Sequence, residues 1–310
     1  MPGIGIVTNP NSKLNKRNPE RHKILGYILG QRGQLAVTNS IAELESVAAE
    51  FKARDVEILA INGGDGTISR TLTAFIRCYG DQPLPRVAIL GGGTINVLRT
   101  NLGIHGTPED VLFRLVEQHS AGVEFEVMRT RTIEVEGTYG FMFGDGIVAN
   151  FLELFYRNKT NAVGSILLMF RLYWAAWFNR DLFQSVVNQQ DYKLSPQNGR
   201  PLHGPAAAVM CSTLARMPLG ARVFTLLEKN PDKMECISFQ LDESKILWQL
   251  PVMLAGTALR LNLWQQRICT GEIAIQANPQ RGYTVDGELF QARNDTIKIT
   301  MGPQLDFVTL

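Results

Sequence analysis

The sequence predicts an α/β N-terminal domain with a parallel sheet, followed by a mainly antiparallel β C-terminal domain. Three observations predict it. Strand-like and helix-like segments alternate with short links up to about residue 125, a pattern that makes a parallel sheet covered on both faces. After Gly122 the hydrophobic period switches from helical spacing to alternation. A buried-strand pattern, Ile58 to Ile61, runs straight into a turn of three glycines around one aspartate, which opens a helix. Residues 1–125 are read as the first domain and 126–310 as the second, with the C-terminal end able to pack back on the first.

Gly3 to Thr8 forms the first strand, stopped by Pro10 in the loop Asn9-Pro10-Asn11-Ser12-Lys13-Leu14-Asn15-Lys16. Pro19 suits the first turn of a helix whose apolar residues Ile24, Leu25, Ile28 and Leu29 share a face, with Gly33 ending it. Gln34 to Thr38 gives the second strand. Ser40-Ile41-Ala42-Glu43 is a capping box, opening a helix with Ile41, Leu44, Val47, Ala48 and Phe51 inward. Val56 to Ile61 is the third strand.

Next comes Asn62-Gly63-Gly64-Asp65-Gly66-Thr67-Ile68, with Ile68, Leu72, Phe75 and Ile76 at helical spacing after it. Glycines admit positive φ and leave no side chain in a ligand's way. The amides that open a helix favour an anion such as phosphate. A bare carboxylate beside phosphate is repelled, so Asp65 fits if a divalent cation bridges the two or if it takes a proton from a hydroxyl. Without a ligand, the same string is a tight strand-to-helix turn capped by Thr67.

Arg86 to Leu90 is a further strand, ending in Gly91-Gly92-Gly93-Thr94-Ile95-Asn96-Val97 before Leu102-Gly103-Ile104. Thr107-Pro108-Glu109-Asp110 opens a helix by cap, proline and acidic first turn, with Val111, Leu112, Leu115 and Val116 inward. Thr130 to Glu136, Glu272 to Gln276 and Thr296 to Met301 alternate as strands. Gly164 to Phe178 is an aromatic helix candidate, through Phe170, Tyr173, Trp174, Trp177 and Phe178. It either packs in a core, lines an apolar cleft for acyl chains, or touches a membrane surface. The polar loop Glu228 to Glu235 precedes a strand-like Cys236 to Leu241. Near the C-terminus, Asp286-Gly287-Glu288 is a reverse turn that also offers two carboxylates, a compact pairing of metal ligand and base.

These motifs together resemble the diacylglycerol kinase catalytic-domain superfamily, which includes bacterial lipid kinases, sphingosine kinases and, more distantly, NAD kinases. Gly63-Gly64-Asp65-Gly66-Thr67 resembles its nucleotide-binding signature, and Gly93-Thr94-x-Asn96 its second motif. Asn9, Pro10 and Ser12 match its opening loop, and Thr38 its threonine near the nucleotide. Lys13 stands where a glycine is usual, and Val97 where many members have aspartate. The resemblance implies a two-domain lipid kinase/NAD kinase-like fold that binds ATP with Mg2+ between its domains. It implies transfer of the γ-phosphate to a lipid hydroxyl such as that of diacylglycerol. Asp65 is the implied metal ligand, Glu288 the base and Asp286 its orienting partner or a metal holder, with Asp65 as rival base. Asp232 keeps one residue of a turn that holds structural magnesium in some members, while Lys233 replaces its glycine. A catalytically silent nucleotide- or lipid-binding member and an NAD kinase-like enzyme are the other readings.

Composition narrows the classes. At 310 residues the chain can bury a full core, and 45% hydrophobic with 19% charged residues is ordinary for a globular protein. A net charge of +2 gives no argument for nucleic acid as a partner. Cys78, Cys211, Cys236 and Cys269 form no Cys-x-x-Cys pair and read as reduced structural thiols. The chain starts directly on strand-like residues, and the run Ile166 to Phe178 is short for a membrane span and holds Arg171. The expectation is a cytoplasmic protein meeting a lipid substrate peripherally at a membrane surface, with a homodimer left open. No Gly-x-x-x-x-Gly-Lys-Ser/Thr loop and no His-Arg-Asp or Asp-Phe-Gly set is present, which excludes the two better-known kinase architectures.

Overall fold

The computed structural model describes residues 3–91, 97–157, 190–217, 222–239, 264–277 and 281–310. The chain divides into two compact units, residues 1–132 with 303–310, and residues 133–302.

The first unit is a parallel sheet with helices packed on it. Strands β1 (Ile4–Thr8), β2 (Gly33–Val37), β3 (Ile58–Asn62) and β4 (Arg86–Ile89) run in the order β2-β1-β3-β4. The end of β16 (Thr296–Val308) adds beside β4, with Phe307 opposite Val87 in parallel. Every residue of β1 and β3 is buried, as a sheet covered on both faces requires. Register is even. Thr8 lies opposite both Val37 and Asn62, and Ile61 opposite Ile89, so the carboxyl ends of four strands fall on one edge.

The helices are α1 (Lys13–Arg17), α2 (Arg21–Leu29), α3 (Ile41–Ala53), α4 (Asp65–Tyr79), α5 (Val97–Leu102) and α6 (Pro108–Ser120). Helix α3 packs on α4 through an edge-to-face contact of Phe51 and Phe75, centroids 5.9 Å apart, while α2 packs on α6. The cap of α6 is reciprocal: the Thr107 hydroxyl accepts from the Asp110 amide, and the Asp110 carboxylate accepts from the Thr107 amide. Ser40 caps α3, but Glu43 reaches back to the Asn39 amide, one residue earlier than the capping box predicts. Three details correct the sequence reading. Residues Lys13 to Arg17 are helical rather than loop. Helix α2 starts at Arg21, beyond Pro19, and ends at Leu29, capped by Gly30 rather than Gly33. Ile24 and Ile41 are exposed, so the buried faces rest on Leu25 and Leu29 in α2 and on Leu44, Ala48 and Phe51 in α3.

The second unit is antiparallel, as predicted. One sheet runs β12 (Trp264–Thr270), β11 (Met234–Phe239), β10 (Ala208–Ser212), β7 (Met142–Asp145), β14 (Gly282–Val285), β15 (Glu288–Gln291). The beginning of β16 pairs with β13 (Glu272–Gln276), then β8 (Gln190–Pro196) and β9 (Leu202–Ala206). Strands β5 (Val127–Val135) and β6 (Thr138–Gly140) form a hairpin. Inward residues of these strands, among them Ile133, Phe143, Val209, Ile273, Tyr283 and Ile297, share one core. Helix α7 (Ile147–Arg157), which no sequence signal singled out, packs on β7 and β14. The aromatic candidate at 164–178 lies outside the described residues. Among the described residues, no helix is long and apolar enough to cross a membrane.

At the centre of this core sits a buried ion pair. Asp145 and Arg281 meet at 3.2 Å, and Asp145 also accepts from the Tyr192 hydroxyl at 3.1 Å and the Val209 amide at 2.9 Å. Arg281 also donates from Nη2 to the Ile275 carbonyl and from Nη1 to the Asp295 carbonyl. Burial pushes the Asp145 carboxyl up to about 6 against the pull of Arg281 and its donors.

Two outcomes check this account. A Cβ at residue 5 would fall on the Phe51 ring, so Gly5→Ala should destabilise the chain by about 1–3 kcal/mol in urea unfolding. Arg281→Met leaves a buried carboxylate unpaired and should cost about 3–5 kcal/mol at pH 8. That cost should shrink at pH 5, below the Asp145 value, where the carboxyl is protonated in the folded protein as well.

Candidate active site

The even strand ends put several sequence-predicted residues on one edge of the first unit. Asn9 follows β1, Thr38 follows β2, Gly63 follows β3 and Leu90 follows β4. Backbone bonds continue the sheet across that edge: the Asn9 amide donates to the Asn62 carbonyl at 3.1 Å, Thr38 to Thr8 at 3.0 Å, and Leu90 to Ile61 at 3.0 Å. In open α/β sheets this edge is where ligands collect.

Helix α4 begins at Asp65 with Gly64 as its cap, and no side chain caps it. Thr67 is therefore not the cap. It lies buried in the first turn, and its hydroxyl accepts from Asn9 Nδ2 at 2.9 Å. The first-turn amides of such a helix have no intrahelical acceptor, and the positive end of its dipole favours an anion. Gly63 has to be glycine, because a Cβ there would collide with the Thr67 side chain. Asp65 Oδ1 accepts from the Val97 amide at 3.1 Å, tying the first glycine turn to α5.

The Asn9 loop is closely braced. Asn9 Oδ1 accepts from the Asn11 amide at 2.8 Å and its carbonyl from the Ser12 amide at 3.2 Å. The Ser12 hydroxyl oxygen is buried and has no hydrogen-bond partner within the described residues. Pro10 stands in the same turn. Gly93, Thr94 and Asn96 lie outside the described residues. On their flanks, Gly91 has a φ of 87° and Arg99 occupies the space a side chain there would need.

In the second unit, Asp286 and Gly287 are the two loop residues of the β14–β15 hairpin, with Val285 opposite Glu288. Both have positive φ, 48° and 84°, the turn that matches strand twist and that Asp-Gly favours. The Asp286 carboxylate accepts from the Phe141 amide at 3.0 Å and the Met142 amide at 2.9 Å, and its own amide donates to the Met142 carbonyl. Gly140 leaves room for it, since a Cβ there would strike Val285 and Asp286. Although the residue keeps some solvent access, its carboxyl end is enclosed, and desolvation raises it to about 7 despite those two amides. Glu288 is half-buried at the start of β15, and Tyr156 donates to the Gly287 carbonyl at 2.9 Å. Asp232 lies on an exposed turn. Among the described residues, no group of three or more His, Cys, Asp or Glu side chains could hold a metal ion.

The raised Asp286 value makes a prediction with a definite sign. A carboxyl held above its unfolded value of 3.8 favours the folded state at low pH, and that stability is lost as pH rises towards 7. Asp286→Asn tolerates the positive φ and can accept from both amides. It should match the native protein near pH 4 and exceed it by on the order of 1–2 kcal/mol at pH 8, measured by urea unfolding across that range.

Residues 4–128 match the family model described as the diacylglycerol kinase catalytic domain. The protein named Probable lipid kinase YegS is 27% identical over 135 residues in Shigella flexneri, and so is its counterpart in Escherichia coli strain SMS-3-5. Each match covers 42% of this chain and 44% of the relative. The chain thus aligns with less than half the length of these curated relatives. A crystal structure titled as a diacylglycerol kinase from Bacillus anthracis strain Sterne superposes over 99% of this chain and 97% of its own, with a TM-score of 0.70 at 13% identity, which is a likeness of fold. Residues 4–128, which hold the glycine turns and the Asn9 loop, are thus similar to the diacylglycerol kinase catalytic domain.

Proposed function

We propose that this protein is an ATP-dependent lipid kinase that transfers the γ-phosphate to a lipid hydroxyl such as that of diacylglycerol. The observation that carries the reading is the closure of the Asn9 loop onto Thr67 beside an uncapped α4, at the ligand edge of a parallel sheet. The family match over the same residues and the names of the relatives support the kinase class.

The residues present fit a nucleotide's phosphates. Gly63 leaves its space open, Gly64 caps α4 without a side chain, and the buried Ser12 hydroxyl has a bond to give. Asn9, Pro10, Ser12, Thr38 and Gly63 to Thr67 would hold ATP, with Gly93, Thr94 and Asn96 completing the set. Asp65 would hold Mg2+. When bound, ATP supplies the phosphoryl group, and the metal neutralises its charge.

The chain's own contribution is position and proton transfer. The α4 amides keep the phosphates in place. Glu288 is the proposed base for the acceptor hydroxyl, with Asp65 as the rival. Asp286 holds the turn that carries Glu288, through the Phe141 and Met142 amides. We place the enzyme peripherally at a membrane surface, where its substrate resides. The departures at Lys13, Val97 and Lys233 favour the second reading, a catalytically silent nucleotide- or lipid-binding protein.

The test is transfer of labelled γ-phosphate from ATP to a panel of lipids in mixed micelles, with NAD as control. Label is expected in a lipid, and Asp65→Asn and Glu288→Gln should each lower the rate by about 10²-fold or more. Label in NAD would overturn the lipid assignment, and ATP binding without any product would favour the silent protein.

A further inference from the structure

Beneath the Asn9 loop lies a polar cluster of Asn15, Asn62 and Arg21, to which the sequence motifs assign no role. Asn15 of α1 is 4% exposed. Its Nδ2 donates to the Asn9 carbonyl at 2.8 Å and more weakly to the Asn62 carbonyl at 3.4 Å. Its Oδ1 accepts from Asn62 Nδ2 and from Arg21 Nη1, both at 3.3 Å. Asn62, fully buried at the end of β3, also donates to the Thr8 hydroxyl at 2.8 Å. Arg21 is anchored in turn by Glu109 of α6 at 2.7 Å. The chain of contacts therefore runs from α6 through α2 and α1 to the carboxyl ends of β1 and β3.

Stability alone explains this cluster poorly. Two carboxamides are desolvated, and the Asn62 Oδ1 stays buried with no partner within the described residues. Apolar residues could fill the same space without that penalty. Buried polar networks of this kind earn their place by fixing one conformation. The loop above needs fixing. Lys13, at the position where the superfamily usually has glycine, is the first residue of α1. The only described non-glycine residues with positive φ are Asp55, Glu136 and Asp286, so Lys13 does not mimic a glycine turn.

We propose that Asn15, supported by Asn62 and Arg21, is a positioning residue for the nucleotide loop. Its carboxamide holds the Asn9–Ser12 turn in the shape that lets Asn9 reach Thr67, so that the phosphate-binding edge is formed before ligand arrives. The inference rests on the nucleotide reading above and names residues which that reading does not use.

Titration of the full chain with trinitrophenyl-ATP tests it, together with hydrogen exchange on the free protein. Asn15→Asp keeps an acceptor for Arg21 but removes the donor to Asn9. It should raise the Kd about tenfold and speed exchange of the Asn11 and Ser12 amides about tenfold, with the β1 amides unchanged. In the kinase assay the KM for ATP should rise while kcat stays within about twofold. Asn15→Ser, which retains a donor, should recover part of the affinity and serves if the aspartate variant does not fold. Unchanged Kd and loop exchange, with only a lowered Tm, would overturn the inference while leaving the kinase reading intact. A native chain that does not bind trinitrophenyl-ATP would overturn both.

Discussion

The in-register alignment of β1, β2, β3 and β4 is the constraint on which the rest depends. A parallel sheet buried on both faces can satisfy its backbone only strand against strand, so each strand must end where its neighbour ends or leave amides unpaired. Thr8, Val37 and Asn62 are level for that reason. The consequence is chemical: every loop that follows a strand opens at the same edge. Residues more than fifty positions apart, such as Asn9 and Thr67, then lie within a hydrogen bond of one another.

The first unit uses that edge sparingly. Glycines keep side chains away from the start of α4, and the polar side chains that remain bond to the loops rather than to each other's charges. Asp65 is turned to a backbone amide of α5, and Asn9 joins both sides of the edge. Bonds of this kind tie the Asn9 loop and the start of α5 to the first turn of α4.

The second unit solves a different problem. Its sheets bury long alternating strands, and the charged groups inside them carry partners: Asp145 has Arg281, Tyr192 and an amide, while Glu235 has Arg267 and the Leu226 amide. Asp286 is held the same way, by two amides, at the tip of a hairpin. Its carboxyl, raised to about 7 by desolvation, therefore serves the local architecture first, while Glu288 lies half-buried across the turn.

Local patterns determined much of this protein. Helical spacing located the buried stripes of α4 and α6, alternation located β5, β13 and β16, and the strand-glycine-helix string located the turn from β3 into α4. These features are legible because each arises from contacts between residues close in sequence or from a period set by backbone geometry. Tertiary structure alone decided the rest. Nothing local marks Asn15, Asn62 and Arg21 as partners, since an asparagine in a polar loop reads as solvated until the neighbouring strand and helices arrive. The second positive φ in the Asp286 turn likewise follows from the hairpin's twist, which only the pairing of β14 with β15 imposes.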